Sequence, residues 1–472
     1  MVTKTDGQAW GGDADMSDFE AVMWRAEVEP RTRSTGLLLE VLDCEPDWDR
    51  LVAAHERVTV RIPRLRERVI EPLLPLVPPA WSPDRDFDLR HHLHRLRLPA
   101  PGGMAELLDV AEALFDRQFD RARPPWEAVL VEGLEGGRAA YALKLHHSLT
   151  DGQGGVQLLE LAHSRTREPS PPDDTPPPPA RPMLTPASLL TSRLLRRGAS
   201  APGVVAQQML GAARLASRTV TNPGAVVSGT LRYTRSLQRV LTPPPAERSP
   251  LLAGRDGTSY RLCVLDVALA DLKAAGKAAG GSINDAYLAA LLGGFRRYHE
   301  HFGVAVDRMP IAFPISLRRS DDPLGGNRFA GARFAAPVGE TDPRERIAAV
   351  RDFVLSARDE PAIGVLDLLA PAISRMPTPV VVGLTAEMTS VSDLQATNVP
   401  GLGHAAYLAG AQVTHTYIFG PRPGVAAMVA MLSYNGTCCL GFNVDPDAVT
   451  DLDLFQRCMR EGFDEVLALR DS

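Results

Sequence analysis

Long apolar runs are missing from this sequence of 472 residues. No run approaches the roughly 18 apolar residues that a membrane-spanning helix needs. The first residues, Met1 to Gly7, also lack the apolar core of a secretory signal. We therefore expect neither a membrane span nor a secretory signal, and a cytoplasmic protein.

Cysteine is also scarce, and no excess of positive charge is present. The five cysteines form no CxxC pair, so the sequence predicts no disulfide framework, and a reducing compartment fits it best. The net charge of −6 argues against nucleic-acid binding. No phosphate-binding glycine loop or GxSxG elbow occurs, so we expect no nucleotide or metal cofactor. A composition of 44% hydrophobic residues is typical of a globular protein, and this length allows two domains.

One compact polar motif follows a segment whose alternation predicts a strand, and it reads HHSLTDG over residues 146–152. Alternate strand residues point to opposite faces, so His147 is expected on the apolar face and His146 on the other. A neutral imidazole beside an apolar pocket can remove a proton from a hydroxyl near neutral pH. Gly152 leaves space for close approach of backbone or ligand. Alternatively, Asp151 caps a following helix and the histidines are ordinary strand residues.

The pattern divides the chain into residues 1–167, 168–249 and 250–472. Helix and strand signals mix in the first and last parts, with a helix over Trp48–Arg68 and strands at 37–42 and 141–147. Two helical segments within 271–299 are separated by glycines at 280 and 281, and Asn435-Gly436 predicts a hairpin turn.

The middle part, residues 168–249, is the least regular. A proline-rich stretch at 169–182 predicts a linker or exposed loop. Residues 175–246 contain arginines but no aspartate, glutamate or lysine, and leucines and arginines at 189–197 indicate a basic amphipathic helix. Such a segment either touches a membrane or lipid droplet, through residues 181–240, or packs on its own protein and finds acidic partners elsewhere in the chain.

Further motifs follow in a definite order. They are Pro124-Pro125-Trp126, Ser282-Ile283-Asn284-Asp285, Pro314-Ile315-Ser316-Leu317-Arg318 with Gly326-Asn327, Thr397-Asn398-Val399-Pro400-Gly401, and Tyr434-Asn435-Gly436. With the HHxxxDG motif at 146–152, this set resembles the bacterial wax ester synthase/diacylglycerol acyltransferase family, from about residue 16 to the C-terminus. The HHxxxDG motif alone is shared with condensation domains and carnitine acyltransferases.

The resemblance implies a fold and a reaction. The fold is α/β (α+β), with two chloramphenicol-acetyltransferase-like lobes whose mixed sheets are flanked by helices, and a tunnel between them that holds the HHxxxDG loop. The reaction transfers a fatty acyl group from a CoA thioester to an alcohol or a diacylglycerol hydroxyl. His147 acts as general base without a covalent intermediate, and acyl-CoA is the co-substrate.

The resemblance also implies residue roles. His146 supports the loop, Asp151 pairs with an arginine for which Arg318 is the candidate, and Gly152 admits substrate. The residues expected to border the substrate are Asn284, Asp285, Ser316, Arg318, Asn398, Pro400 and Gly401.

Local structure alone could account for three of these residues. Ser282 and Asp285 have the spacing of a helix capping box, so Asn284 and Asp285 open a helix whether or not they border the site. Asn398 either donates a hydrogen bond to the developing oxyanion or belongs to a tight turn that ends at Gly401.

The histidines at 91, 92 and 94 are not expected to bind metal, because no further ligand stands at a suitable spacing.

Two points leave the substrate open. Residues 30–36 depart from the family's Pro-Met-His-x-Gly pattern in a region that lines the acceptor side, so another acceptor is an alternative. The acyl donor is either free acyl-CoA or a carrier protein acting in trans, as in a tailoring enzyme. A non-catalytic lipid-binding protein is the third alternative, and the intact His147, Asp151 and Gly152 argue against it.

Overall fold

The computed structural model describes residues 10–168, 181–196, 246–316, 324–327, 329–358 and 365–471. Two six-stranded sheets dominate the described residues. The first sheet runs, in spatial order, β11 (Tyr407–Leu408), β12 (Ala411–Phe419), β1 (Thr35–Leu42), β6 (Arg138–His146), β5 (Trp126–Leu134) and β4 (Leu93–Arg97). The second runs β7 (Arg261–Ala268), β14 (Thr437–Val444), β13 (Ala427–Tyr434), β10 (Leu394–Pro400), β8 (Met309–Ser316) and β9 (Phe329–Ala336). A separate hairpin pairs β2 (Glu67–Ile70) with β3 (Ala80–Pro83).

Helices flank both sheets. In the first half they are α1 (Asp18–Ala26), α2 (Trp48–Arg61), α3 (Met104–Asp116), α4 (Gly152–Ala162) and α5 (186–196). In the second half they are α6 (Leu269–Ala278), α7 (Ile283–His301), α8 (Pro343–Arg358), α9 (Val365–Ile373), α10 (Thr378–Thr389) and α11 (Leu452–Leu467). Each sheet mixes parallel with antiparallel pairs, as β4–β5 and β10–β13 are parallel whereas most other pairs are antiparallel. The α/β architecture that the resemblance implied is confirmed.

Strand β6, which leads to the HHxxxDG motif, is buried on both faces. Tyr141 and Leu143 pack into one apolar core, while Ala140 and Ala142 pack into another on the opposite face. The prediction that only the face of His147 points inward is therefore wrong. His146 ends the strand and is fully buried, and His147 lies just beyond it and is partly buried.

The locally encoded elements form as predicted. Helix α6 ends at Ala278 and α7 begins at Ile283, so the break falls at the predicted glycines. Asn435 and Gly436 join β13 to β14 with φ values of 43° and 91°, which suit a type I′ turn.

Helix α2 is shorter than predicted. It ends at Arg61, and a single 3₁₀ turn from Pro63 leads into β2. A proline two residues on explains the end, because it disfavours helical backbone in the residue before it.

The predicted boundary at residue 250 does not separate the two sheets. Strands β11 and β12 belong to the C-terminal part of the chain, yet β12 pairs with β1 at the first sheet's edge, from Leu37↔Phe419 to Leu42↔Val413. Helix α1, from the N-terminal part of the chain, in turn contacts the C-terminal part. The Arg25 guanidinium donates a hydrogen bond to the backbone oxygen of Ser374 at 2.7 Å. The two halves of the chain therefore share a sheet as well as an interface.

Part of the predicted linker packs on the protein itself. Leu189 of α5 is fully buried against Ile70, Val77 and Ala80. Arg181 and Arg193 of the same segment pair with Glu67 and Asp15, so over 181–196 the acidic partners do come from elsewhere in the chain. Residues 169–180 and 197–245, which complete the predicted linker, lie outside the described residues. Across the described ranges, no helix combines the length and the apolar character needed to span a bilayer.

Candidate active site

His146 is held in a closed polar and aromatic environment. Its Nε2 lies 3.3 Å from Glu27 Oε2, and its Nδ1 lies 2.7 Å from Ser148 Oγ and 3.1 Å from the Ser148 backbone nitrogen. Trp24 and Phe119 approach the imidazole edge-on, with ring centroids 5.1 and 6.0 Å away. These contacts hold the imidazole of His146 at both ring nitrogens and along its edges.

Glu27 joins this histidine to the strand beside it. Its carboxylate accepts hydrogen bonds from Ser34 N at 2.6 Å and Thr35 Oγ1 at 3.2 Å. Burial raises the pKa of Glu27, but His146 and these hydrogen bonds outweigh it and leave the pKa below its ordinary value. The Ser148 N–H donates to Nδ1 of His146, so Nδ1 acts as an acceptor and Nε2 is the ring nitrogen directed at the Glu27 carboxylate.

His147 is held by both halves of the chain. Its backbone N–H donates to Ser34 O at 2.7 Å, beside β1. Its Nδ1 lies 2.9 Å from Asn327 Oδ1, and Asn327 Nδ2 donates to the His147 carbonyl at 2.8 Å. Burial lowers the pKa of His147, while the Asp151 charge and the Asn327 hydrogen bond raise it, and the net shift is downward. The imidazole is therefore neutral at pH 7, as a general base must be.

The loop after His147 is tied to a segment from the second half of the chain. Asp151 N donates to Gly326 O at 3.1 Å, and Thr150 forms a parallel bridge with Gly326. The Asp151 carboxylate accepts from Gly154 N at 2.8 Å and so caps α4, which confirms the predicted helix cap. Arg318, the predicted partner of Asp151, lies outside the described residues.

Gly152 is required by packing. A Cβ at this position would lie 2.7 Å from Val399 Cγ2, well inside van der Waals contact. The space that the sequence assigned to substrate is therefore filled, at this point, by a side chain of β10.

Asp285 is engaged in the predicted capping box. Ser282 N donates to Asp285 Oδ2 at 2.7 Å, and Asp285 N donates to Ser282 Oγ at 3.3 Å. The same carboxylate lies 3.6 Å from Arg351 Nη1. Asn284 is half-buried in the first turn of α7.

Strand β10 accounts for Asn398 and Pro400, so the prediction of a tight turn at 398–401 is wrong. Asn398 lies opposite Met431 in the parallel ladder with β13. This ladder extends to Pro400, which lies opposite Ser433. Gly401 follows, and its N–H donates to Ser433 Oγ at 3.2 Å. Ser316 ends the neighbouring parallel strand β8 and is exposed. Since parallel strands end at the same edge of a sheet, Ser316 and Pro400 lie at one edge.

An apolar cavity of about 220 Å³ opens beside this sheet. Its walls come from β8, β9, β10 and the helices α1, α9 and α10, with Phe19 and Val22 supplied by α1. Gln395 lines it and points to the same face of β10 as Val399, four residues on, which places Val399 about 13 Å further along the strand. The cavity and the HHxxxDG loop therefore lie on one side of the second sheet.

Three residues that sequence reasoning did not assign to the site contact its residues: Asn327, Glu27 and, through Asn327, Glu20. Asn327 stood in a motif of the resemblance, but nothing in the sequence indicated that it contacts His147. Glu20 stands three residues after Ser17, and this spacing of a capping box indicates the start of a helix. The spacing does not predict that the Glu20 carboxylate also contacts Asn327.

The other histidine cluster has a structural role. His92 stacks on Trp126 with ring centroids 4.7 Å apart, and its Nδ1 lies 2.8 Å from the Trp126 carbonyl. Within the described ranges, only Asp256, Asp445 and Asp447 come together as possible metal ligands, and Asp445 is paired with Arg422.

Comparison with known structures shows the fold. A wax ester synthase/diacylglycerol acyltransferase from Marinobacter aquaeolei is similar with a TM-score of 0.62 at 20% identity, covering 97% of this chain and 100% of that one. A starter condensation domain of rhizomide synthetase is similar with a TM-score of 0.57 at 12% identity, covering 97% and 94%.

Comparison of sequences shows the family. A putative diacylglycerol O-acyltransferase of Mycobacterium tuberculosis is 43% identical over 455 residues, which cover 96% of this chain and 92% of the relative. A probable diacylglycerol O-acyltransferase of the same organism is 26% identical over 407 residues, covering 80% and 81%. Residues 14–287 match the catalytic domain of the wax ester synthase/diacylglycerol acyltransferase family, and residues 325–466 match its C-terminal domain. The chain therefore belongs to the wax ester synthase/diacylglycerol acyltransferase family.

Proposed function

We propose that this acyltransferase moves a fatty acyl group from a CoA thioester to the hydroxyl of a lipid alcohol, with His147 as general base. The observation that carries the proposal is the 2.9 Å contact between His147 Nδ1 and Asn327 Oδ1. An amide oxygen accepts a hydrogen bond only from a protonated nitrogen, so Nδ1 holds the proton and the basic lone pair of the neutral ring is on Nε2.

The proposed reaction needs one base in two roles. His147 Nε2 removes the proton of the acceptor hydroxyl as its oxygen attacks the thioester carbonyl. The tetrahedral intermediate then collapses, the carbon–sulfur bond breaks, and the imidazolium returns the proton to the CoA thiolate. General base help of this kind typically contributes about 10²–10⁴-fold in rate. The Asp151 charge, which raises the pKa of His147, favours the imidazolium that forms midway.

Substrate contacts are proposed at the edge of the second sheet. Asn398 is proposed as a donor to the oxyanion from the resemblance alone, because alternation along β10 places its side chain on the face opposite to Val399, which touches the HHxxxDG loop. Ser316, Pro400 and Gly401 are at or near the same edge, whereas Asn284, Asp285 and Arg318 are proposed only from the resemblance.

The apolar cavity supports a long-chain substrate. Its lining is aliphatic and aromatic apart from a few polar groups such as Arg333 and Gln395, as binding of a hydrocarbon chain requires. The names of the family and of its mycobacterial relatives point to long-chain alcohols and diacylglycerol as acceptors. We propose these two, with acyl-CoA as co-substrate and no further cofactor.

The test is thiol release from palmitoyl-CoA with hexadecanol or dioleoylglycerol as acceptor. Wild type should release CoA only when an acceptor is present, and His147→Ala should lower the rate at least about 100-fold. His301→Ala, an exposed histidine on α7, is the matched control and should leave the rate unchanged. Release that survives His147→Ala would contradict the base assignment. No release by wild type with either acceptor would favour the alternative of a carrier-protein donor or a specialised acceptor.

We further propose that the protein touches lipid surfaces peripherally, through the 181–240 region and the loop against which it packs. Leu73, Leu74 and Leu76 are exposed in the loop between β2 and β3, and Leu195 of α5 is 74% exposed. The loop and α5 meet at the buried Leu189, and α5 also carries the exposed Arg196, whereas its Arg193 is paired with Asp15. Exposed leucines among arginines are typical of segments that lie in an anionic membrane interface.

Flotation with vesicles of phosphatidylcholine and phosphatidylglycerol tests this contact. Wild type should float at low salt and less at high salt, and a Leu73→Ser/Leu74→Ser/Leu195→Ser variant should not float. Leu355→Ser, which changes a leucine on α8 that is 46% exposed, should float like wild type. If wild type fails to float at low salt, the peripheral contact is excluded.

A further inference from the structure

We propose that Glu20 is a positioning residue for His147 and acts through the side-chain amide of Asn327. The inference rests on the proposed function, because it concerns the base of that reaction. Glu20 lies on α1, and Asn327 arrives from the second half of the chain. Nothing else about Glu20 in the sequence distinguishes it from an ordinary capping residue.

Asn327 makes three polar contacts that leave its amide one orientation. Its Nδ2 donates to the His147 carbonyl at 2.8 Å and to Glu20 Oε1 at 3.3 Å, and its Oδ1 faces His147 Nδ1. If the amide were rotated by 180°, its oxygen would face two oxygens, one of them on a carboxylate. Both contacts would become repulsive, so Glu20 and the His147 carbonyl together hold the amide oxygen toward Nδ1.

The amide orientation in turn decides which ring nitrogen of His147 is basic. With Oδ1 toward the ring, Nδ1 must carry the proton and Nε2 is the base. With the amide rotated, Nδ2 would donate to Nδ1, and the neutral ring would carry its proton on Nε2. That tautomer cannot accept a proton through Nε2, so the orientation of a neighbouring amide controls the base.

Glu20 is itself held in place by the start of α1. Its Oε2 accepts from Ser17 N at 2.9 Å, and its backbone N–H donates to Ser17 Oγ at 3.2 Å. The capping box occupies one carboxylate oxygen and leaves the other directed at Asn327, in a residue that is only 8% exposed. The flanking Ala21 and Trp24 are buried, so the helix that carries Glu20 is anchored in the core.

A double-mutant cycle on steady-state thiol release tests the coupling. Glu20→Gln keeps the size of the side chain but has one oxygen for two donors and a new N–H₂ group, so it no longer selects one amide orientation. We expect it to lower kcat about 10-fold, and Asn327→Ala to lower kcat about 100-fold, with little change in the KM for palmitoyl-CoA. In the Asn327→Ala background, Glu20→Gln should have no further effect, because the group through which it acts is gone.

Ser17→Ala is the matched control for the helix cap. It removes the Ser17 hydroxyl but keeps both the Glu20 carboxylate and its contact with Asn327, so kcat should stay within about twofold of wild type. Equal effects of Glu20→Gln with and without Asn327, or a kcat loss in Ser17→Ala as large as that of Glu20→Gln, would overturn the proposal.

A second measurement does not depend on turnover. The ¹⁵N shifts of His147, assigned by comparison with His147→Gln, report which ring nitrogen carries the proton at neutral pH. Wild type should show the Nδ1–H form, and Glu20→Gln should show a mixture of both tautomers. An unchanged Nδ1–H form in Glu20→Gln would refute the positioning role. If instead wild type releases no CoA with any acceptor but the tautomer shifts as expected, then the proposed reaction fails while the role of Glu20 stands.

Discussion

Two adjacent histidines present opposite ring nitrogens to their hydrogen-bonding neighbours in this protein. His146 accepts at Nδ1 from the Ser148 N–H and directs Nε2 toward Glu27, whereas His147 directs Nδ1 toward the Asn327 oxygen. The first arrangement fixes the loop, and the second leaves Nε2 as the basic nitrogen. A sequence of two identical residues therefore encodes two different roles, which only their neighbours distinguish.

The downward pKa shift of His147 predicts the acidic limit of activity. In the proposed mechanism the neutral imidazole is the active form, so activity is expected to be retained above the lowered pKa and lost as the pH falls through it. The midpoint of the acidic limb of kcat/KM should lie below 6.5, the ordinary pKa of a histidine. Asn327→Leu should move this midpoint lower still, because the Asn327 hydrogen bond raises the pKa. Rates of thiol release from about pH 4.5 to 8 test this, and a midpoint above 6.5 in wild type would contradict it.

At the scale of elements, the sequence determines the local features and leaves the long-range ones open. The Asn435-Gly436 turn, the break before α7 and its Ser282–Asp285 cap were predictable because each depends on residues within a few positions of one another. Asn327 and His147 are 180 residues apart, and Glu20 and Asn327 are 307 apart, so no local pattern reports their contact. The burial of both faces of β6 escaped prediction for the same reason, since the layer over its second face comes from α3 and from distant strands such as β7 and β14.

The contact between α4 and β10 predicts the effect of a single methyl group. Gly152→Ala should lower the free energy of unfolding by about 1–3 kcal/mol, because the new Cβ meets Val399. In the Val399→Ala background the opposing methyl groups are absent, so adding Gly152→Ala should lower the free energy of unfolding by less than it does in wild type. Gly155→Ala is the control on the same helix, since its Cβ would meet no atom within 4 Å, and it should be neutral or stabilising by up to about 1 kcal/mol. Urea denaturation gives all four values, and equal losses for Gly152→Ala and Gly155→Ala would rule out the packing effect.

At the scale of the whole molecule, β12 makes the two sheets interdependent. This strand comes from the C-terminal part of the chain, closes the first sheet against β1, and contributes Val413 to the core beneath it. The resemblance implied two lobes, but no sequence signal indicated that strands from the C-terminal part complete the sheet of the first lobe. Apolar and polar residues alternate in β12 as in any half-buried strand.

Because the first sheet contains β12 from the C-terminal part of the chain, we expect the two sheets to unfold together. Val413→Ala, at a position 1% exposed in β12, should destabilise the protein by about 2 kcal/mol. Hydrogen exchange measured by mass spectrometry should show equal losses of protection in peptides from β6 and from β13, although only β6 belongs to the same sheet. Val350→Ala, a buried valine of the second core, should give the same pattern. A loss confined to one sheet would show that the halves unfold separately.

The contact of Asn327 with His147 has a consequence for the protein while it is being made. The ribosome releases both histidines and the loop up to residue 168 long before residues 324–327 emerge. Until then the imidazole has neither the amide that selects its tautomer nor the Gly326 carbonyl that anchors Asp151. With His147 as the proposed base, a growing chain carries the whole HHxxxDG motif before that base is oriented, and we expect acyl transfer only after residues 324–327 have been synthesised.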